Sequence, residues 1–422
     1  MTEALHYDAV VIGAGTAGLT AGARLAQAGA KVCVLAKGVG STHLAPGTID
    51  VLGYAPERVE APARALPELI SEHPDHPYVL LGPETVAEAL AWFERTAAAG
   101  TLPGYSYSGS LERNQLLPTA LGAVRASALV PETMAAGDQP GLGRVAILGT
   151  PALRDFHESL CADNLRAAGV QARGISVPLE LERADMNALG IARHLDDPEW
   201  RATFCAQVSP LLRDEEHLGV PAMLGMRDPH AVLMDLQHRL GRWVFEIPTL
   251  PPSVPGMRLY EILRSALRAA GGRLVLGAEV VSHRRDGERV SEVVTRAAGR
   301  DLSYAAPWFV LASGGFASDA IELDSHWITH DRVLGLPLRG APGPGDTRFV
   351  RNYLEDQPIA RAGIAVDAEL RADGAENVLV AGASLPGAVP WREGSGEGIA
   401  LASGLRAAQV IAGRVREEAV VG

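Results

Sequence analysis

The stretch DAVVIGAGTAGLTAGARLAQAGAKVCVLA, residues 8–36, constrains the fold more than any other part of the chain. Ala9 to Ile12 is a short apolar run that reads as a buried parallel strand, and Gly13, Gly15 and Gly18 follow at once in the spacing GxGxxG. A helix is expected from about Thr16 to Ala28, with Gly29 as its C-terminal glycine cap. Lys31 to Leu35 then returns as a second strand, completing a βαβ unit of about 30 residues. Each glycine has its own task. Gly13 permits the tight turn, Gly15 lets a pyrophosphate approach the backbone, and Gly18 lets helix and strand pack closely. The helix N-terminus adds unpaired N–H groups and positive dipole, so the unit predicts nucleotide or flavin binding rather than a purely structural turn.

The second strand finishes on Ala36 and Lys37, where a dinucleotide site usually carries Asp or Glu to grip a ribose. Three readings follow: a decayed site, a ligand with no adenosine ribose, or a 2′-phosphate met by Lys37.

The chain has 422 residues, more than one hydrophobic core normally covers, so two domains are expected. A formal charge of -12 disfavours a surface that tracks nucleic-acid phosphates. No apolar stretch approaches the roughly 20 residues that span a bilayer, and the start MTEALHYDAVVIG has no basic region or cleavage site, so a soluble intracellular protein is expected. Cys33, Cys161 and Cys205 are far apart with no CxxC spacing, which supports neither a disulfide framework nor a zinc or iron-sulfur site.

The fold class expected is α/β: a discontinuous Rossmann-like flavin-binding domain with a large inserted α/β domain. Residues 1–54 and 251–422 form its two parts, and 55–250 the inserted cap or partner-docking domain. Within the insert, RVAILG, VQARGISV, VPAMLG and WVFEI read as strands, and Asp155 to Ala168 and Pro229 to Leu240 as helices. Between Ala55 and Pro140 only Glu84 to Ala99 has convincing helical spacing. After PTLPPSVPG a helix is expected over Met257 to Ala270, then a hairpin around Asp286 and Gly287. WFVLASGGF and NVLVAGAS supply two more strands that end in glycines, at Gly314 and Gly382. A last helix begins near Gly396 and Gly398 and would aim its N-terminus into the same crevice. Partial positive charge there could stabilise negative charge on a flavin ring.

VIGAGTAG, VLASGG and NVLVAGA together resemble the two-dinucleotide-binding-domain flavoproteins. HPYVLLGP, PTLPPSVPGMRL and LASGGF resemble more specifically the B subunit of the anaerobic glycerol-3-phosphate dehydrogenase complex, with likeness over nearly the whole chain. The resemblance implies a flavin-bearing subunit, FMN preferred and FAD the alternative, working beside two partners, a catalytic FAD subunit, and an iron-sulfur subunit. It also implies a cytoplasmic protein, peripheral to the inner face of the cytoplasmic membrane through that complex, which oxidises glycerol 3-phosphate and reduces quinone.

Beside the glycine turns, the candidate cofactor-binding residues are Thr16, Lys37, Ser41, Thr42 and His43. GVGSTHLAPGTID follows the second strand, where related flavoproteins run past the flavin ring. Ser41 and Thr42 could donate to ring carbonyls or act as turn residues. His43 could contact the flavin, as nearby histidines do covalently in some relatives, or serve as a hydrogen-bonding loop residue. Arg258, His330, Arg332 and Arg339 could face the flavin or an anion, although the surface is the commoner place for arginine. No catalytic base, metal cluster or Ser-His-Asp order stands out.

Overall fold

Five parallel strands form the sheet expected of the βαβ unit, in the spatial order Arg273–Leu276, Val32–Ala36, Ala9–Ile12, Trp308–Leu311 and Val378–Val380. They belong to a computed structural model that describes residues 4–179, 186–297 and 300–421. The sheet draws two strands from the first 36 residues and three from residues 273–380, so the flavin-type domain is discontinuous as expected. The two inner strands, Ala9–Ile12 and Val32–Ala36, are buried along their whole length, which is why they read as continuous apolar runs rather than alternating ones.

Helices Thr16–Gln27 and Gly396–Val421 lie against one another, and small residues set their spacing. A Cβ on Gly404 would stand 2.4 Å from the Ala17 carbonyl oxygen, so a larger residue would push the helices apart. The expected hairpin is an antiparallel meander of Glu279–Asp286, Arg289–Ala297 and Arg300–Ala305, and it adds Val290, Val293 and Tyr304 to the same core.

A second parallel sheet, in the order Trp243–Ile247, His217–Pro221, Val145–Gly149 and Ala172–Ser176, carries its own core around Ile147, Leu165, Leu218 and Phe245. The strand expected at 220–225 lies earlier, because buried His217 and Leu218 pair with Val145 and Ala146 and the ladder stops at Pro221, which has no N–H to donate. The helix expected from Asp155 begins at Glu158. Two further helices are unexpected: Ala188–Leu195, whose buried Ala188, Ile191, Ala192 and Leu195 follow helical spacing, and Pro198–Val208, which has no such apolar face; caps mark both, with Asn187 accepting from the Gly190 N–H and Asp197 from the Glu199 N–H.

The stretch expected to open the inserted domain divides differently. Helices Pro62–Glu72 and Pro77–Ala98, the latter kinked at Gly82 (φ 69°), pack Leu66, Tyr78, Val86 and Phe93 into the first core. The separate core belongs to residues 145–254, not to the whole of 55–250.

Arg258 joins the two units. It is completely buried on helix Val254–Ala269, which Ser253 caps by accepting from the Gly256 N–H. Its guanidinium donates to Glu246 Oε2 at 2.7 Å and Oε1 at 3.0 Å, and to the Gly225 carbonyl at 2.6 and 3.0 Å, with the Tyr105 ring 5.5 Å away. Burial opposes the charge on Arg258, and Glu246 holds it in place. The candidate role for Arg258 as an anion or flavin ligand is therefore corrected: its donors are committed to Glu246 and Gly225.

Candidate flavin site

Three glycine turns meet at the carboxyl ends of the central strands. Gly13 has φ 116° and donates to the Leu35 carbonyl at 2.8 Å; a Cβ there would stand 2.1 Å from the Ala312 carbonyl oxygen. A Cβ on Gly18 would stand 2.0 Å from the Gly13 carbonyl oxygen. The fold itself demands both glycines. Gly15 is different: its φ is -77°, and a Cβ would meet nothing nearer than Thr42 Oγ1 at 3.9 Å. The chain's own packing gives no reason for glycine here. The space opens before a helix N-terminus that no side chain caps and whose first turn holds no acidic residue, and a phosphate suits both features.

The following loop leans on this turn. Gly40, at φ 73°, comes so close that a Cβ would lie 3.1 Å from Gly15 Cα, and Thr42 Oγ1 lies 3.3 Å from Thr16 Oγ1 with both threonines buried. Ser41 is exposed at the start of the short turn Ser41–Leu44. The His43 ring packs edge-on against Tyr260 with centroids 4.7 Å apart, and burial, then Arg264, lowers its pKa. Its packing partner is thus helix Val254–Ala269. Lys37 stands at the rim, 3.5 Å from Asp319 and 3.8 Å from Glu279, and Asp319 also binds Arg332.

The later turns interlock with the first. Gly314, at φ 88°, donates to Ser384 Oγ at 3.2 Å, and that hydroxyl donates back to the Gly314 carbonyl at 3.0 Å. Gly382, at φ 73°, donates to Ser403 Oγ at 2.8 Å, and a Cβ on it would stand 2.8 Å from Ala17 Cβ. A Cβ on Gly396 would touch only Pro390 Cβ at 3.4 Å, whereas one on Gly398 would be 2.6 Å from Tyr78 Oη. Gly396 is open like Gly15; Gly398 is required by packing.

The first turn of the last helix touches Asp50, Val51 and Tyr78, while Gly404 reaches Ala17 at the start of the first helix. Eight residues of helix, about 12 Å, therefore project past the phosphate-binding turn. Loop 41–50 connects the two ends, touching Thr16 through Thr42 and donated to by the Gly398 N–H at the Asp50 carbonyl, 2.9 Å.

Charged groups gather at the Gly396 end of the crevice. Buried Asp50 accepts from Thr48 Oγ1 at 2.8 Å, Ser127 Oγ at 2.5 Å and Arg125. Burial and the Asp50 charge push the Glu397 carboxyl up to about 7, with Arg125 opposing. His76 Nδ1 accepts from the Tyr78 N–H at 3.1 Å, so Nε2 carries the proton and donates to Glu393 at 3.2 Å. Burial works to raise the Glu393 pKa, but His76, the Val389 N–H and Ser395 Oγ together lower it.

The remaining candidates are committed elsewhere. His330 lies 2.9 Å from Asp324, Arg332 binds Asp319 and Glu322, and Arg339 stands 3.9 Å from Asp373. Burial pushes the thiols of Cys33, Cys161 and Cys205 up to about 11, 12 and 11. Among the described residues no group of three or more His, Cys, Asp or Glu could hold a metal, and no helix is long and apolar enough to cross a membrane. Sequence reasoning missed Gly40, Asp50, Arg125, Ser384 and Glu397. A charged residue inside the run GSGEG was the available signal for Glu397; Arg125 had none.

Residues 8–383 match the FAD binding domain family. A protein of Pectobacterium carotovorum, named as the B subunit of anaerobic glycerol-3-phosphate dehydrogenase, is 33% identical, over 96% of this chain and 99% of its own length. The chain belongs to this B subunit family. Members from Pectobacterium atrosepticum and Yersinia enterocolitica are 32% and 31% identical, each over 96% of this chain and over 99% and 98% of their own lengths. Their names, as one subunit of a dehydrogenase, place these relatives in a multi-subunit assembly.

Proposed function

We propose that this chain is the flavin-bearing subunit of an anaerobic glycerol-3-phosphate:quinone oxidoreductase complex, relaying electrons between two partners, a catalytic FAD subunit, and an iron-sulfur subunit. The open space at Gly15, in a turn whose other glycines are demanded by packing, carries the flavin assignment. Family membership supports the substrate and the partners. A bound flavin supplies the ability to accept and return electrons. The chain's residues hold it: backbone N–H groups at Gly15 to Gly18 bind phosphate, Thr16 and Thr42 line the approach, and the helix N-terminus at Gly396 favours negative charge at the ring.

FMN is preferred over FAD because Ala36 offers no carboxylate to a ribose and Lys37 already faces Asp319 and Glu279. The FAD alternative is supported by the match of residues 8–383 to the FAD binding domain family. The complex sits at the inner face of the cytoplasmic membrane, with this chain peripheral through its partners. The alternative, a second reading, is an autonomous flavin oxidoreductase acting on a small organic acid or polyol phosphate.

Extraction and identification of the flavin tests the first assignment, with absorbance near roughly 450 nm expected of the loaded chain. The isolated chain should not turn over glycerol 3-phosphate with an artificial acceptor, and activity should appear when the FAD and iron-sulfur partners are added. Robust turnover by the chain alone selects the second reading.

A further inference from the structure

Three carboxylates surround the Gly396 end of the crevice, and two are fully engaged. Asp50 Oδ1 accepts from Thr48 and Ser127, and Oδ2 from Arg125. Glu393 Oε1 accepts from the Val389 N–H, and Oε2 from His76 and Ser395. The third, Glu397, is one residue past the open Gly396 in the first turn of the last helix; among the described residues no ion pair or hydrogen bond from another side chain holds its carboxyl, which accepts only from its own backbone N–H.

We propose that Glu397 is a proton acceptor coupled to reduction of the flavin: a flavin bound here would take up two electrons and one proton, and the Glu397 carboxylate would take a second proton from hydronium, whose O–H bond breaks to leave water. An O–H bond forms on Glu397, and two protons enter for each electron pair supplied by the reductant. The proposal rests on the flavin assignment above.

The neighbours explain why the proton goes there. From loop 45–53 the Asp50 carboxylate repels charge on Glu397, and from strand Val124–Ser127 Arg125 partly neutralises it, though that guanidinium is already bound to Asp50. From helix Pro77–Ala98 the Tyr78 hydroxyl is spent on the Val51 carbonyl at 2.6 Å. The His76–Glu393 pair lies beyond Tyr78, and Tyr54 donates to the Val124 carbonyl at 2.9 Å. Burial and then Asp50 raise the Glu397 carboxyl well above the usual glutamate range. New negative charge on a nearby ring would raise its affinity for a proton further.

The test is a spectroelectrochemical titration of the flavin-loaded full chain between about pH 5.5 and 8.5, in the unmodified protein and in Glu397→Gln. One extra proton per electron pair changes the reduction equilibrium a further tenfold per pH unit, about 30 mV for two electrons. The unmodified chain should show this steeper segment around neutral pH; Glu397→Gln should lose it, and Glu397→Asp should regain it. Equal slopes in the unmodified chain and the Gln variant overturn the proposal while leaving the flavin assignment intact. Isotope-edited infrared titration of the flavin-free chain provides the second measurement. A Glu397 carboxyl band titrating well above the usual glutamate range is expected, and one titrating in that usual range overturns the proposal whether or not flavin binds.

Discussion

Gly15 and Thr42 face each other across the mouth of the first helix, and a methyl group on Gly15 would come no nearer to Thr42 Oγ1 than 3.9 Å. The same turn thus holds glycines with opposite tolerances, and this separates binding from folding.

Gly15→Val should fold and lose flavin. The substitution makes a poorer N-cap, costing about 1 kcal/mol, while its branched side chain enters the space assigned to the phosphate. Flavin affinity should fall at least about a hundredfold, ~3 kcal/mol. Gly13→Ala should instead fail as a fold, since its Cβ would meet the Ala312 carbonyl at 2.1 Å with φ at 116°. Melting curves and flavin content of both variants check this; Gly15→Val purified with a full complement of flavin would show that the phosphate lies elsewhere.

Removing one member of the Arg258–Glu246 pair should be far worse than removing both. Arg258→Met leaves Glu246 buried without its partner, at a cost of about 3 to 5 kcal/mol. Arg258→Met with Glu246→Leu should recover most of that loss, although Glu246 also accepts from the Leu224 N–H at 2.6 Å. Denaturant midpoints of the two proteins give the comparison. A single variant within 1 kcal/mol (about a fivefold change in the folding equilibrium) of the unmodified chain would mean that Glu246 finds another partner.

The parts of this protein legible in its sequence are those in which neighbours along the chain make the contact. Gly13, Gly15 and Gly18 act on one turn, and the apolar run Ala9 to Ile12 is buried on both faces of one strand, so spacing alone reveals them. The role of Arg258 is hidden because an isolated arginine in a sequence looks like a surface residue. Its partner Glu246 is nearby in number but ends a strand of the other core. Helix Pro62–Glu72 escapes notice because Pro67 breaks its pattern, although Leu66 and Leu69 still reach the core. Glu397, Asp50 and Arg125 come from separate segments, brought together by the packing of Gly398 against Tyr78 and Val51, the Gly398 N–H on the Asp50 carbonyl and the Arg125–Asp50 pair.

Glu397 should also leave a mark on stability without any flavin. Its folded pKa, about 7, lies above the ordinary glutamate value, so between those limits the folded chain binds more protons than the unfolded one. Stability should therefore decline as pH rises from about 4.5 through 7 and then level. The contribution is on the order of 2 kcal/mol once screening by the solvent that reaches this partly exposed residue is allowed for. Glu397→Gln should flatten that decline, as followed by urea unfolding across the interval. An unchanged profile in the variant would assign the decline to other groups.

Ala36→Glu tests the flavin's identity. The new carboxylate would stand at the end of strand Val32–Ala36, where a ribose would be gripped, and a charge-assisted hydrogen bond there is worth roughly 1.5 to 3 kcal/mol, or about ten- to a hundredfold in affinity. FAD binding should strengthen by that factor while FMN, which has no adenosine, changes little. Lys37 is the competing partner for the new group. It lies 3.5 Å from Asp319 and 3.8 Å from Glu279 but is largely exposed, so these pairs hold it weakly and it could turn to the new carboxylate. Ala36→Glu combined with Lys37→Ala removes that competition and should show the larger gain. Equilibrium binding of both flavins to the apoprotein, before and after substitution, decides the matter. If the unmodified chain already binds FAD much more tightly than FMN, the missing carboxylate has been compensated elsewhere on the rim, and the preference for FMN fails while the phosphate turn at Gly15 stands.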